Sequence, residues 1–362
     1  MIGTLKSVIG TGIVSVGMIA AVTTPSGAVD TQSPEVRLAA TALIMGGANG
    51  GGRIGDDIML RTLAGRYAGD TRIAVDWPAE IAPVYGTMSM GESTRIGADN
   101  LEAAIRAQAE GSSEPIIAVG LSQSSEVLDE VMRRFADDPT APSPHQLSFV
   151  VLGDADRSLM QYFLGLPTLP ILDYAVQPIP VTRYNVTEVA GEYDGFADFP
   201  DRWWNVLAVA NALAGTGFFP GFGSVHEHAL YSSLDDVPPQ NITTTTNTAG
   251  GVTTKYLVPT EDLPLLRPLP AMGVPQNVVD SLNKVLRPLV DAGYSRNDVT
   301  YTGPERQPGT IRPAASVTAR PAAAERVAAP RKTAAKPAKA STEPTAKASG
   351  RETGAKSSRR SR

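Results

Sequence analysis

Residues 115–127, PIIAVGLSQSSEV, place a serine between an apolar run and an amphipathic run. The run PIIAVG is typical of a buried strand, and SEVLDEVMRRFADD (125–138) has the spacing of a helix. Ser122 therefore stands where a strand turns sharply into a helix. Gly120 and Ser124 complete a G-x-S-x-S pattern, a version of the turn that raises a nucleophilic serine above a sheet. A capping serine after a strand of small residues gives a similar pattern, so the motif needs partners elsewhere in the chain.

The sequence on both sides of Ser122 alternates between short apolar runs and helical spacing. The predicted strands lie at 41–45, 71–80, 115–120 and 147–156, and a fifth begins the segment 183–198, which ends in a turn. The predicted helices lie at 58–68, 93–110, 125–138 and 201–215. Continuous apolar strands separated by helices indicate a parallel sheet with both faces covered. We therefore predict one α/β domain over 38–304, with a mostly parallel central sheet and helices on both faces.

Composition narrows the possible chemistry. The 362 residues include no cysteine, which excludes disulfides, thiolate metal ligands and a cysteine nucleophile. The net charge of −5 conceals two parts of opposite sign. Residues 1–304 hold 18 Lys and Arg against 33 Asp and Glu, whereas residues 305–362 hold 14 against 4. The chain is thus predicted to have an acidic body and a basic tail.

The two ends of the chain differ in composition from the middle. Residues 1–28 combine Lys6, an apolar stretch and the small residues SGA, the pattern of an export signal or, if retained, of a membrane anchor. Residues 305–362 are rich in Ala, Pro, Ser, Thr, Lys and Arg, and we predict them to be disordered. For an exported chain their positive charge suits an anionic lipid or wall polymer. A membrane or cell-wall surface is therefore the expected partner and nucleic acid is not, while a solvated tail without a partner is the alternative for residues 305–362.

A serine nucleophile of this kind needs an acid and a histidine, which follow it in chain order on later loops. The chain has three histidines, and His145 lies in a loop where a surface position is expected. His226 and His228 lie further downstream, in GFGSVHEHALY. Asp194, in a glycine-containing turn after an apolar strand, precedes them and is the favoured acid. The chain order therefore fits a serine, acid and histidine set.

Two further aspartates and two backbone amides belong to the candidate site. Asp154 and Asp198 compete with Asp194, although turn and helix-capping roles are the default for aspartates in such settings. An oxyanion site needs two backbone N–H donors. We predict that Gln123, which follows the serine, and Gly47, in the glycine loop after the first strand, supply them. Glycine lets the backbone approach a substrate without a Cβ in the way.

Two other kinds of site compete with this reading. Gly50, Gly52 and Gly55 fit G-x-G-x-x-G, with Asp76 about 20 residues further on, as in a dinucleotide site. The first of these glycines, however, does not follow its strand directly, as that fingerprint requires. The run HEH at 226–228 would place two imidazoles on one face of a strand, although no other histidine lies nearby in the sequence. We therefore expect neither a cofactor nor a metal.

Several further segments carry a family resemblance over roughly residues 39–294. They are ALIMGG, VDWPAEIAPVYG, GLSQSS, YDGFADFP, HALY and TTTTNTAGGVTTKYLVPTEDLPLLRPL (242–268), in consistent order. With these segments the chain resembles the PE-PPE domain, a mycobacterial serine-hydrolase module. The resemblance implies the α/β-hydrolase fold.

The same resemblance implies functional roles for individual residues. Ser122 corresponds to the nucleophile and Asp194 to the acid. His228 corresponds to the base, because His228 and Tyr231 show the H-x-x-Y spacing of the family. His226 is left as the alternative base.

Exported, stand-alone members of this family resemble acyltransferases that move fatty acyl groups between acyltrehalose glycolipids. Other members resemble esterases or lipases of short- to medium-chain esters. We therefore expect an exported acyl-ester enzyme of the mycobacterial envelope that acts through an acyl-serine, with a non-catalytic wall-binding protein as the lesser alternative. Residues 215–223 and the pair Trp203 and Trp204 offer apolar bulk for an acyl cleft, although core packing is the commoner use of such residues.

Overall fold

The computed structural model describes residues 39–49 and 53–298. Seven strands of these residues form one sheet: β1 (Thr41–Met45), β2 (Thr71–Ala74), β3 (Ile116–Leu121), β4 (Leu147–Leu152), β5 (Asn185–Gly191), β6 (Ile242–Thr246) and β7 (Val252–Val258). Their order across the sheet is β2-β1-β3-β4-β5-β7-β6. Every neighbouring pair is parallel except β6 and β7, which are antiparallel. The predicted mostly parallel sheet is confirmed.

Helices cover both faces of the sheet, as predicted. They are α1 (Asp56–Arg61), α2 (Met90–Ala109), α3 (Gln123–Ala136), α4 (Val206–Ala214), α5 (Val225–Tyr231) and α6 (Gln276–Asp291). One buried apolar cluster joins α2 and α3 to the sheet, and a second joins α1 and α5 to the opposite side. This arrangement is an α/β-hydrolase-like fold.

The alternation of side chains along β1 shows how one strand supplies both clusters. Leu43 and Met45 point into the cluster with α2 and α3, whereas Ala42 and Ile44 point into the cluster with α1 and α5. Successive strand residues face opposite sides of a sheet, so a strand buried on both sides must be apolar throughout. All five residues of β1 are buried.

Two predicted helices are shorter in the structure than their sequence patterns. The helix predicted over 58–68 ends at Arg61, because Leu63 and Ala64 adopt positive φ values of 50° and 55°. The helix predicted over 201–215 begins only at Val206. Its N-cap is Asn205, whose side chain accepts a hydrogen bond from Ala208 N at 3.1 Å.

The start of α2 and the ends of two strands also differ from prediction. The helix predicted from Ser93 begins at Met90, because Ser89 caps it by accepting a hydrogen bond from Glu92 N at 3.2 Å. The strand predicted over 71–80 ends at Ala74, and the strand predicted over 147–156 ends at Leu152. Apolar periodicity therefore located these elements better than it located their ends.

The carboxyl ends of β3, β4 and β5 lie side by side at one edge of the sheet. Leu121 of β3 pairs with Leu152 of β4, and Leu152 pairs with Val189 of β5. Residues that directly follow these strands are therefore brought together, and such edges hold ligand sites in open α/β sheets. Ser122, Gly153 and the turn that contains Asp194 all lie at this edge.

The predicted export segment at 1–28 and the predicted basic tail at 305–362 lie outside the described residues. Within residues 39–49 and 53–298, no helix combines the length and the apolar character that crossing a membrane requires.

Replacing Gly97 by valine should destabilise the fold where α2 meets α3. A Cβ at Gly97 would lie 2.8 Å from Trp77 Cε3 and 2.9 Å from Val127 Cγ2. We expect the free energy of unfolding, measured with denaturant, to fall by about 2 kcal/mol or more, because overpacking forces neighbours to shift. Gly69→Val is the matched control, since nothing lies within 4 Å of that position. The control should change stability by less than about 0.5 kcal/mol, and equal losses would contradict a close contact at Gly97.

Candidate active site

Ser122 occupies a strained corner between β3 and α3. Its φ of 53° and ψ of −125° lie outside the conformations that serine readily adopts. Ser122 N donates to Leu152 O at 2.7 Å, and Ser125 N donates to Ser122 O at 2.8 Å. Ser122 is half-buried between the buried residues Leu121 and Gln123. A strained backbone held by several hydrogen bonds is typical of a functional position.

The small residues on either side of Ser122 allow this corner to form. A Cβ at Gly120 would lie 2.7 Å from Ser124 O and 2.8 Å from Leu128 Cδ1, so glycine is needed there. The Ser124 hydroxyl accepts from Leu121 N at 2.7 Å and donates to Met45 O at 3.0 Å. A serine at 124 therefore links the ends of β1 and β3, which a glycine would not do.

The loop after β1 lies directly beside Ser122. A Cβ at Gly47 would lie 3.0 Å from Ser122 Cβ and 3.7 Å from Ser122 Oγ. Trp77 Nε1 donates to Gly46 O at 3.2 Å, and Asn49 N donates to Ala79 O at 3.0 Å. These two hydrogen bonds fix the backbone on both sides of Gly47.

Asp194 lies in the turn after β5 and contacts one of the candidate histidines. The Asp194 side chain is fully buried, and its Oδ1 accepts from Phe196 N at 2.9 Å. His226 Nδ1 lies 3.3 Å from Asp194 Oδ2. Within the described residues, no donor is aligned well enough to form a hydrogen bond with this oxygen. Asp194 and His226 are therefore neighbours at ion-pair distance without an aligned hydrogen bond.

Gly153, the residue after β4, makes room for the His226 ring. A Cβ at Gly153 would lie 1.7 Å from His226 Cε1 and 1.8 Å from Nδ1, so any other residue would collide with the imidazole. Gly153 also has a positive φ of 65°. Its neighbour Leu152 is the residue that accepts the hydrogen bond from Ser122 N. The imidazole thus packs on the strand end that holds Ser122, although no hydrogen bond joins His226 to Ser122 Oγ among the described residues.

The structure places His226, and not the preferred His228, beside Asp194. Both histidines lie on α5 and not on a loop, and residues two apart on a helix point about 200° apart. Only one of them can therefore face Asp194, and that residue is His226. His228 Nε2 instead lies 3.3 Å from Pro259 O at an exposed position. The metal alternative required two imidazoles on one face of a strand. Because His226 and His228 lie on a helix, that arrangement is not formed.

The competing acids have other partners. Asp198 pairs with Arg296 at 2.7 Å and accepts from Tyr193 N at 2.7 Å. Asp154 accepts from Asp156 N at 2.9 Å and pairs with an arginine at 2.8 Å. Neither carboxylate forms an ion pair with an imidazole in the described residues.

The remaining residues singled out in the sequence are His145 and the glycines of the loop after β1. His145 is exposed, as expected for a surface loop. Of the glycines proposed for a dinucleotide site, Gly50 and Gly52 lie outside the described residues, and Gly55 is the N-cap of α1.

A buried cluster of carboxylates around Arg157 was not predicted. Arg157 lies 2.5 Å from Asp129, 2.8 Å from Asp154 and 3.8 Å from Glu188, and its side chain is 7% exposed. Two more buried carboxylates, Glu126 and Asp156, belong to the same group. The acidic run GDADR at 153–157 and the acids of α3 were signals for it. Their burial, however, depends on packing between α3, β4 and β5.

Burial shifts the titration of this carboxylate cluster. Burial raises the pKa of Glu126 well above its usual range, and the nearby carboxylates of Asp156, Asp154 and Asp129 add to the rise. Burial also raises the pKa of Asp156 to about 6, with a hydrogen bond from the Tyr174 hydroxyl acting against it. Several carboxyl groups with raised pKa values therefore lie close to Gly153, at the end of β4.

The family of the chain follows from a match over most of this fold. A family model described as the PE-PPE domain matches residues 68–295, which include Ser122, Asp194 and His226. The chain belongs to the PE-PPE domain family. The resemblance seen in the sequence is confirmed.

Three mycobacterial relatives of this PE-PPE chain have assigned activities. All three are from Mycobacterium tuberculosis (strain ATCC 25618 / H37Rv). Diacyltrehalose acyltransferase Chp2 is 39% identical over 63% of this chain and 64% of its own length. SL1278 acyltransferase Chp1 is 38% identical over 65% of this chain and 56% of its own length. Esterase PE16 is 34% identical over 71% of this chain and 49% of its own length. The chain thus spans between 49% and 64% of the length of these three relatives.

Asp156→Asn should change how stability depends on pH. Because the folded state raises the Asp156 pKa from 3.8 to about 6, its stabilising proton is fully bound below pH 3.8 and lost as the pH rises through 6. Asparagine does not titrate. The variant should therefore gain stability relative to the native chain between pH 4 and pH 7, by on the order of 1 to 3 kcal/mol.

Denaturant unfolding across this pH range measures the effect of Asp156→Asn. Asp57→Asn, at a side chain that is 75% exposed, is the matched control and should follow the native pH dependence. A difference between Asp156→Asn and the native chain that does not grow with pH would contradict the raised pKa.

Proposed function

We propose that this chain is a serine acyl-ester enzyme in which Ser122, His226 and Asp194 act together. The observation that supports it best is the position of His226. Its ring lies against Gly153 at the strand end that holds Ser122, and its Nδ1 is 3.3 Å from Asp194. A serine on a strained turn, an imidazole and a buried carboxylate are the three groups that acyl transfer through a serine requires.

In the first step, Ser122 Oγ attacks the ester carbonyl carbon while its proton passes to His226 Nε2. The buried carboxylate of Asp194 holds the ring through the Nδ1 side and stabilises the imidazolium that forms. The tetrahedral intermediate then expels the alcohol, which takes the proton from His226, and an acyl-serine remains. In the second step a hydroxyl acceptor gives its proton to His226 and attacks the acyl carbon. The new ester leaves when Ser122 Oγ departs and takes the proton back from His226.

The backbone amides of Gln123 and Gly47 are proposed to bind the oxyanion. Gln123 is the first residue of α3, and the first amides of a helix have no acceptor within the helix. The α3 N-terminus also favours negative charge at this point. Gly47 lies against Ser122, and the hydrogen bonds of its neighbours hold its backbone in place. Preorganised donors of this kind contribute most where charge develops in the transition state.

The proposed reaction is transfer of fatty acyl groups between trehalose-type glycolipids of the mycobacterial envelope. Support comes from the two acyltransferase relatives at 39% and 38% identity, one of which is named for diacyltrehalose. The export pattern of residues 1–28 fits an enzyme that meets such lipids outside the cytoplasm.

Ester hydrolysis is the second candidate activity, favoured by the esterase relative at 34% identity. Both reactions share the acyl-serine and differ in whether a sugar hydroxyl or water resolves it. A non-catalytic wall-binding role is disfavoured, because nothing in such a role requires the strained backbone of Ser122 or the fully buried Asp194 beside His226.

His226→Ala should abolish reaction with a fluorophosphonate probe, whereas His228→Ala should not. The imidazole that contacts Asp194 is His226, so its loss should slow labelling and p-nitrophenyl ester turnover by at least about 100-fold. His228→Ala is the matched control, two residues away on the same helix, and should stay within about threefold of the native rate. Ser122→Ala should remain unlabelled.

Three results would contradict this assignment. They are an unlabelled native chain that is folded by circular dichroism, equal losses from the two histidine variants, and labelling of Ser122→Ala. The first would reject the acyl-serine itself, and the other two would reject the residues assigned to it.

Supplying trehalose monoester or diester should yield newly acylated trehalose in excess of free fatty acid. Products are measured by mass spectrometry with an isotopically labelled acyl chain, and Ser122→Ala gives the background. If free fatty acid is the only product while the fluorophosphonate still labels Ser122, the chain is an esterase. That result would reject the transferase but leave the acyl-serine chemistry intact.

A further inference from the structure

An unusually apolar surface lies on one side of the domain, on α4, α6 and the residues that flank α4. We call it the α4–α6 face and define it by Trp203, Trp204, Val206, Leu213, Phe218, Phe219, Val278, Leu282, Val285 and Leu289. Each of these side chains is at least 37% exposed. Single exposed apolar residues are ordinary, but a set collected on neighbouring elements marks an interaction surface.

Helix α6 carries two apolar stripes and buries only one of them. Val279 and Val290 are fully buried in a cluster shared with Ala208 of α4. The second stripe consists of Val278, Leu282, Val285 and Leu289, at 41%, 37%, 66% and 54% exposure. Their spacing of four, three and four residues places them on one side of the helix. Val279 and Val290 hold the helix against the domain, while the second stripe stays exposed.

The α6 stripe continues onto the residues before α4. Asn205 Nδ2 donates to Leu289 O at 2.8 Å and joins the end of α6 to this segment. Trp203, Trp204 and Val206 are 63%, 65% and 77% exposed. The two indole rings are in edge contact, with centroids 6.1 Å apart. Core packing is the commoner use of tryptophan, but neither of these two residues packs in the core.

The other end of α4 leads towards the candidate active site. Leu213 is 43% exposed near the end of α4, and Phe218 and Phe219 follow at 62% and 49%. The Phe218 ring contacts the Phe196 ring at 5.4 Å between centroids. Phe196 N in turn donates to Asp194 Oδ1. The α4–α6 face therefore reaches from exposed tryptophans to the residues around the buried acid.

We propose that the α4–α6 face docks on an anionic lipid surface. Tryptophans favour the boundary between water and lipid, because each has a large apolar body and one polar N–H. None of the described helices is suited to crossing a membrane, so the face lies on the surface and does not span it. Docking there would present lipid to the side of the domain that carries Asp194.

Charge and chain direction favour an anionic lipid. Asp298, the last described residue, accepts from Arg202 Nη1 at 2.9 Å, directly beside Trp203. The chain therefore leaves the described part next to the α4–α6 face. It continues into residues 305–362, which carry 14 basic and 4 acidic side chains. A basic segment on the same chain as an apolar docking face strengthens binding to anionic lipids. This inference does not depend on the proposed acyl chemistry, because an inactive variant can test it.

Tryptophan quenching by brominated lipid tests the contact directly. The full chain has three tryptophans, and Trp77 is 4% exposed, so Trp203 and Trp204 are the two that vesicles can reach. The full chain with Ser122→Ala is mixed with vesicles of phosphatidylcholine and phosphatidylglycerol with brominated acyl chains. We expect quenching and a blue shift of the emission, both stronger with phosphatidylglycerol than without it.

Substitutions that keep all three tryptophans locate the contact on the face. Val285→Ser with Leu289→Ser should weaken vesicle binding at least about tenfold and reduce quenching in parallel. Leu166→Ser with Ile171→Ser is the matched control. These two residues are 52% and 75% exposed outside the face, and their replacement should leave both readouts unchanged.

Three outcomes would overturn the proposal. Vesicle binding without quenching would mean that residues 1–28 or the basic tail bind lipid and the face does not. Equal effects of the two double variants would mean that the contact is not specific to this face. A dimer in lipid-free buffer that Val285→Ser with Leu289→Ser dissociates would mean that a second copy covers the face. None of these outcomes affects the fluorophosphonate experiment, which tests the acyl-serine chemistry and not the docking face.

Discussion

The left-handed backbone of Ser122 is the constraint around which the candidate site is built. A serine does not adopt such a φ without compensation, and the neighbouring residues supply it. Gly120 leaves space below the turn, Leu152 accepts the hydrogen bond from Ser122 N, and the Ser124 hydroxyl ties the turn to β1. Each compensating group lies on or next to a parallel strand, so the site depends on the alignment of the strand ends.

Helix α3 connects this corner to the interior of the domain. Its first residue is Gln123, directly after Ser122, and its next turn carries Glu126 and Asp129 into the buried cluster around Arg157. A charged group removed from water is stable only when it is paired or neutralised. The α4–α6 face is the reverse of this cluster, because its apolar side chains are exposed to water while the charged side chains of the cluster are buried.

The sequence predicted the fold and the sharp turn at Ser122 because both depend on local patterns. Strands buried on both sides are continuous apolar runs, and the G-x-S-x-S spacing of Ser122 reports a tight turn directly. The histidine beside Asp194 was harder to predict. The H-x-x-Y spacing favoured His228, but the helical geometry of α5 brings His226 to Asp194 instead. The carboxylate cluster was not predicted, because its acids are visible in the sequence but their burial is not. The residues come from α3, from the segment after β4 and from β5, which are distant in the chain.

The His226 ring fills the space that a side chain at position 153 would need, although 73 positions separate the two residues in the sequence. Even a methyl group at 153 would fill the space that the aromatic ring now takes. A change at either residue therefore constrains the other, and moving the histidine into another scaffold would require a glycine at the matching position. In any relative, a bulkier residue after the fourth strand would signal that its histidine approaches the acid from another direction.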